Sequence, residues 1–248
     1  MIGVFDSGVG GLAAFTELRR LLPAADLIYL ADRSNAPYGT KSRKELVALV
    51  QNDVHRLRQM GSERILIACC TASTVWDELS TEEQSITTPI IYPAARRVAE
   101  LTKGRVTVIA TKHTVASHAF GIAIGAAIKN ASIGEQENRH YFKEQPTRVT
   151  EIATQELVSL VERGERDGRL SRDGELALDR VSRLIWDSDA DTLVLGCTHF
   201  SHLEGELSAR LPGVITVSPA REGARAMAEG IRKQDARLSA GNGRTVYT

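Results

Sequence analysis

The 248 residues suit one large domain or two small ones, and an apolar fraction of 42% is enough for a sizeable core. Lys plus Arg and Asp plus Glu balance at 31 each, so no long-range attraction to nucleic acid or to an anionic membrane is expected. No apolar run approaches the roughly 18 residues that a bilayer span needs, and residues 1–10 carry neither a basic nor an apolar secretory segment. Three cysteines are few and odd in number, which argues against a disulfide framework and for a reducing cytoplasm.

In chain order, Ile2-Gly3-Val4-Phe5 reads as a first strand, ending at Asp6-Ser7-Gly8-Val9-Gly10-Gly11. The spacing of Leu12, Phe15, Leu18 and Leu22 predicts a helix over 12–22, stopped by Pro23. The turn is glycine-rich but is not G-x-G-x-x-G, so a dinucleotide site is weakly indicated. Free N–H groups at that helix start suit a carboxylate or phosphate, and a bare turn remains the alternative. A second strand at 26–30 runs into a polar loop, 31–40, punctuated by Pro37 and Gly39. Leu46, Leu49, Val50, Val54 and Leu57 predict an amphipathic helix over 42–60.

The next strand, 64–68, ends in Cys69-Cys70-Thr71. A short helix is expected over 74–83, a strand over 89–93 and a helix over 94–102. A second series starts with a strand at 105–110 and a helix running to about Lys129. Residues 130–150 are polar and read as irregular, 151–163 as helix, 164–169 as a charged turn, and 173–186 as helix. The strand 192–196 ends in Cys197-Thr198-His199; a helix at 203–211, a strand at 214–217, a helix at 220–233, a polar linker at 235–243 and a short strand at 245–247 complete the chain.

Strands alternate with helices throughout, so the fold class is α/β with mainly parallel sheets. The restart near Arg105 suggests two pseudo-symmetric lobes, each a parallel sheet flanked by helices: residues 1–94 plus 207–248 with Cys69, and 95–206 with Cys197. Ligands of open α/β sheets sit beyond the carboxyl ends of the strands. A site is therefore expected in a cleft between the lobes, with one thiol from each.

Two thiols in similar frames suit one chemistry in particular, inversion of a carbon by proton transfer. One thiolate removes the α-proton and a thiol returns a proton to the opposite face. A free thiol has a pKa of about 8.5, close enough to neutral for either role. Asp6 and His199 are the nearby groups suited to take or give the proton. Three other readings compete. Cys69, Cys70, Cys197 and His199 are soft metal ligands, but their spacing is not that of a zinc site, so no metal is expected. A Cys-His hydrolase or transferase leaves the second thiol unexplained. A binding protein that keeps the fold without the activity is the third. His113, His118 and His202 read as structural or surface histidines.

The motifs Gly3-Val4-Phe5-Asp6-Ser7-Gly8-Val9-Gly10-Gly11-Leu12, Pro37-Tyr38-Gly39, Ala68-Cys69 with Thr71-Ala72-Ser73, Thr114 with Ser117, and Gly196-Cys197-Thr198-His199 carry a resemblance across nearly the whole chain. The sequence resembles the glutamate racemases of the cofactor-independent aspartate/glutamate racemase superfamily. That resemblance implies conversion of L-glutamate to D-glutamate for peptidoglycan, with no cofactor, an acidic amino acid as the small-molecule partner, and a homodimer in many members. It implies Cys69 as the base towards D-glutamate, Cys197 as the base towards L-glutamate, and Asp6 and His199 as their assistants. Ser7, Tyr38, Gly39, Thr71 and Thr198 fall at substrate-binding positions, main-chain N–H groups included, and Glu162 where an acidic residue often lies near the site.

Three departures stand out. Cys70 occupies the position of an Asn in the family's Ala-Cys-Asn-Thr-Ala pattern, Ser201 that of a Pro, and no Asp accompanies Ser218. A thiol is a weaker hydrogen-bond partner than an amide. Loss of one such bond costs roughly 1–3 kcal/mol of binding. Preference for another acidic amino acid, such as aspartate, is therefore an alternative.

Overall fold

The computed structural model describes residues 1–134, 146–165 and 168–248. Its elements, in chain order, are β1 (Ile2–Asp6), α1 (Leu12–Leu21), β2 (Leu27–Ala31), α2 (Arg43–Gln59), β3 (Arg64–Ile67), α3 (Cys70–Ser73), α4 (Thr81–Ile86), β4 (Thr87–Pro89) and α5 (Ile91–Leu101). There follow β5 (Arg105–Ala110), α6 (Lys112–Ala116), α7 (Ala119–Gly134), β6 (Arg148–Ala153), α8 (Gln155–Glu162), α9 (Arg172–Asp187), β7 (Thr192–Gly196), α10 (Glu204–Arg210), β8 (Ile215–Val217), α11 (Pro219–Gln234) and β9 (Thr245–Tyr247).

Two compact units divide the chain, Met1–Ile90 with Pro219–Thr248, and Ile91–Ser218. The sequence expectation set the crossings at 94/95 and 206/207; here they fall between β4 and α5 and between β8 and α11.

The first unit holds a sheet of order β4-β3-β1-β2-β9, with every pairing parallel. The second holds β6-β5-β7-β8, again wholly parallel. Both sheets start from an inner strand, add the second on one side, then return to add the third on the other. That reversal creates a switch point, between β1 and β3 in one unit and between β5 and β7 in the other.

Parallel strands covered on both faces are near-continuous apolar runs. Thus β1 and β7 are buried at every residue. The first core gathers Phe5, Ile28, Leu30, Leu46, Val50, Leu57, Ile65 and Ile67. The second gathers Ile109, Leu157, Val161, Leu178, Val181, Leu193 and Leu195. Each such side chain contributes about 1.5–3 kcal/mol on burial. Ser42 starts α2 with a capping box: its Oγ accepts from the Glu45 N–H at 3.3 Å, and the Glu45 carboxylate accepts from the Ser42 N–H at 2.9 Å.

Four expected elements differ. The strand placed at 89–93 is instead the end of β4 and the first turn of α5. Pro93 lies in that turn, where a missing N–H is tolerated, and Ile91, Ala94, Ala95 and Val98 form the buried face. The helix placed at 151–163 begins only at Gln155, because Arg148–Ala153 is β6. An edge strand with only intermediate burial carries polar residues, and Glu151 in β6 concealed it. The irregular stretch expected at 130–150 is helical to Gly134 and extended from Arg148, while 135–145 lie outside the described residues. The single helix placed at 74–83 is instead a 3-10 turn at Trp76–Glu78 followed by the start of α4, with the short α3 ending just before it at Ser73.

Candidate active site

In the first unit, β1 delivers Asp6 and β3 delivers Cys69 to the switch point. Cys69 keeps extended backbone angles and is the N-cap of α3: its Sγ accepts from the Ala72 N–H at 3.5 Å. Ser7 Oγ lies 3.8 Å from the same sulfur. The thiol is buried, with 5% of its residue surface exposed. Burial, then the Asp6 carboxylate, pushes its pKa up to about 12; the Ala72 N–H and the Ser7 hydroxyl and N–H pull the other way. Cys69 therefore rests as a thiol at neutral pH, with donors already aimed at the sulfur for the moment it is charged. A cationic group brought beside it lowers that pKa towards neutrality.

Asp6 is buried and accepts from the Gly8 N–H at 2.8 Å. A Cβ at Gly11 would sit 2.5 Å from Asp6 Cβ, so the carboxylate can turn into this place only beside a glycine. At the α1 start, two of the N–H groups are already engaged. Leu12 and Ala13 donate to the carbonyls of Val9 and Gly10 at 3.1 and 3.4 Å.

In the second unit, Cys197 follows β7, beside the end of β5. Gly196 allows the close passage, since a Cβ there would come 2.8 Å from the Ile109 carbonyl. Cys197 is 7% exposed, and its Sγ lies 3.5 Å from His199 Nδ1. On the far side of the ring, Nε2 lies 3.2 Å from Glu162 Oε1, an ion-pair distance once the ring is protonated but outside hydrogen-bond geometry. An imidazole with its proton on Nε2, towards the carboxylate, leaves Nδ1 able to accept from the thiol. Glu162 is at the end of α8, and α8 packs on the turn that carries His199.

The remaining expected residues are placed as follows. Ser7 adjoins Cys69, as described. Thr71 and Thr198 are buried directly beyond the thiol turns, and Thr71 O accepts from Thr74 Oγ1 at 2.7 Å. Cys70 is 2% exposed at the first position of α3. Tyr38 is 1% exposed, and its hydroxyl is engaged by Asp32 Oδ2 at 2.7 Å and Asp53 Oδ2 at 2.6 Å. Its aromatic end is thus committed inside the protein, and only main-chain groups at Tyr38 and the half-buried Gly39 are left to meet a ligand. Thr114 is fully buried, its Oγ1 3.0 Å from that of Thr111 at the end of β5. His118 is exposed and pairs with Glu151 at 2.8 Å.

Asp53 escaped the sequence reading. Its signal was a carboxylate inside the apolar stripe of α2, three residues after Val50 and four before Leu57.

Each unit therefore couples one buried thiol to proton-handling neighbours: a carboxylate and a hydroxyl for Cys69, an imidazole backed by a carboxylate for Cys197. Among the described residues, no group of three or more His, Cys, Asp and Glu side chains is arranged to hold a metal ion. No helix among them is long and apolar enough to cross a membrane.

The comparisons with known proteins agree with this plan. A Bacillus anthracis glutamate racemase isoform superposes with a TM-score of 0.79 at 27% identity, over 100% of this chain and 86% of that one. A Francisella tularensis glutamate racemase, solved in complex with D-glutamate, superposes with a TM-score of 0.81 at 26% identity, over 99% of this chain and 86% of that one. In sequence, a glutamate racemase of Gloeobacter violaceus is 36% identical over 222 residues, covering 89% of this chain and 76% of the relative. The fold is that of the two-lobed α/β racemases, and the protein is an isomerase, an amino-acid racemase. A family model described as Asp/Glu/Hydantoin racemase matches residues 10–227, and the chain belongs to that family.

Proposed function

We propose that the protein interconverts L- and D-glutamate by two-thiol α-proton transfer, without a cofactor. The observation that carries this reading is the repetition of one strand order with a buried thiol at each switch point, each beside its own proton acceptor. Cys197 removes the α-proton of L-glutamate, with His199 and Glu162 stabilising the charge that the thiol gives up. Cys69 removes it from D-glutamate, with Asp6 taking the thiol proton. In each direction the opposite cysteine delivers a proton as a thiol. The reading requires both sulfurs to reach one α-carbon from opposite faces.

The high resting pKa of Cys69 fits this cycle. A thiol that stays protonated is a ready donor to the planar intermediate formed from L-glutamate. Bound substrate brings an ammonium group, and that positive charge favours the thiolate when Cys69 must act as base. Main-chain N–H groups at Ser7, Gly39, Thr71 and Thr198, with the Thr hydroxyls, hold the two carboxylates. The product supplies D-glutamate for peptidoglycan, in a cytoplasm that keeps all three thiols reduced.

A second reading, an acidic amino acid other than glutamate, is favoured by Cys70 at the Asn position, where a thiol replaces a two-way amide. Incubation with L- and D-glutamate, aspartate and close analogues, followed by circular dichroism, tests both. Decay of optical activity fastest with glutamate is the expected result. A preference for aspartate selects the second reading, and no decay with any amino acid refutes both.

A further inference from the structure

Tyr38, Asp32 and Asp53 meet in the first unit at distances that carry a proton count. The Tyr38 hydroxyl lies 2.7 Å from Asp32 Oδ2 and 2.6 Å from Asp53 Oδ2. Both are hydrogen-bond lengths, but a phenol has one proton and an ionised carboxylate has none. With both carboxylates charged, one of these contacts would set oxygen lone pairs against each other. Two short contacts need two protons. Charge balance asks for the same. Arg56 is the one cation facing the pair among the described residues, with Nη1 at 3.5 Å from Asp53 and 3.9 Å from Asp32, and two carboxylates share it.

Of the two, Asp53 is the better holder of the extra proton. It is fully buried on α2, and among the described residues its side chain meets Tyr38 and the edge of Arg56. Asp32 accepts two contacts from Asn35 Nδ2, at 3.0 and 2.9 Å, which suit an ionised acceptor. Its own main-chain N–H donates to the Asp6 carbonyl at 3.0 Å, so the cluster is tied to the strand end that carries the Cys69 centre.

The geometry points to a two-proton chain in which a neutral Asp53 donates to Tyr38 and Tyr38 donates to an ionised Asp32, locking the Pro37-Tyr38-Gly39 turn so that the Gly39 main chain is held ready for substrate. Asp53 is then a positioning residue: it touches no substrate and acts through Tyr38. The inference rests on the proposed function for its substrate, but the proton chain itself does not. Burial pushes the Asp53 pKa up to about 7, with the Asp32 charge adding to the rise and Tyr38 and Arg56 opposing it. Above neutrality Asp53 ionises, the Asp53–Tyr38 contact turns repulsive, and the turn loosens.

Two measurements test this together. Carbon-13 NMR of carboxyl-labelled aspartate, with Asp53 assigned by loss of its signal in Asp53→Asn, reads the proton directly. A titration midpoint near neutral supports the chain; an Asp53 already ionised at about pH 5.5 overturns it. KM for glutamate against pH reads the positioning. In the parent protein KM climbs above neutral pH by up to about tenfold per pH unit. Asp53→Asn supplies a permanent N–H donor, so its KM stays flat over the same range, whereas Asp53→Ala raises KM at every pH. An alkaline rise of KM that persists in Asp53→Asn overturns the positioning role even where the NMR midpoint is neutral. If no amino acid is racemised, the function reading fails, and the NMR midpoint still decides the proton chain.

Discussion

The thiol centres of the two units occupy equivalent places in equivalent strand orders, and they are wired differently. Cys69 is buried beside a carboxylate, and both favour a protonated resting thiol, against the pull of the Ala72 and Ser7 donors around the sulfur. Cys197 faces an imidazole that can accept its proton, with a carboxylate behind the ring. Symmetry of the backbone supplies two sulfurs; the neighbours differ, a carboxylate that raises the Cys69 pKa in one unit and an imidazole beside Cys197 in the other. Since enantiomers have equal free energy, kcat/KM must be equal in the two directions for the parent and for every variant. The wiring therefore shows itself in isotope effects, alkylation rates and pH limbs rather than in a one-way enzyme.

The largest expected effect comes from deleting either sulfur. Cys69→Ser and Cys197→Ser should each lower turnover in both directions by at least about 10³-fold, since a serine hydroxyl is too weak an acid and base. Near-normal rates in either variant, measured by circular dichroism, would exclude a two-thiol scheme. Next, His199→Asn should cost on the order of 10²-fold. It should also raise the primary isotope effect with α-deuterated L-glutamate more than with the D-enantiomer, because it burdens only the step that starts at Cys197. Equal isotope effects from both enantiomers would mean that His199 serves both centres or neither.

The carboxylate–thiol pairing at Cys69 can be sharpened by alkylation. In a Cys70→Ser, Cys197→Ser background, Cys69 should react slowly with iodoacetamide at neutral pH, and its rate should keep rising with pH towards about 12. Asp6→Asn removes the like charge, lowers the thiol pKa, and should speed alkylation at fixed pH by roughly tenfold for each unit of the fall. An unchanged rate would remove Asp6 from the Cys69 centre. The smallest expected effect is that of Cys70→Asn, a drop in KM for glutamate worth about 1–3 kcal/mol at most. No change, or a rise, would show that Cys70 does not stand at a substrate contact.

The same contrast between the centres explains what could be read from the residues alone. Both thiols were legible because buried parallel strands are apolar runs, and Leu-Val-Leu-Gly-Cys and Ile-Leu-Ile-Ala-Cys end where ligands of such sheets sit. Strand β6 was not legible, because an edge strand needs less apolar surface and Glu151 there looks helical. The start of α5 was misread because Ile90 and Ile91 next to two prolines mimic a short strand. Tyr38 carried a motif but not its orientation; only the fold reveals that its hydroxyl is spent on Asp32 and Asp53. Asp53 lay hidden in an apolar stripe, where its meaning depends on residues 15 and 21 positions earlier in the chain.

A solvent-deuterium experiment tests the two-thiol claim most directly. L-glutamate is incubated in deuterated water to low conversion, and both enantiomers are separated and examined by NMR at the α-position. With Cys197 removing the proton and Cys69 returning a solvent-derived deuteron, the D-glutamate formed carries deuterium while the remaining L-glutamate stays protiated. D-glutamate that retains the original proton, or equal early labelling of both enantiomers, would contradict it.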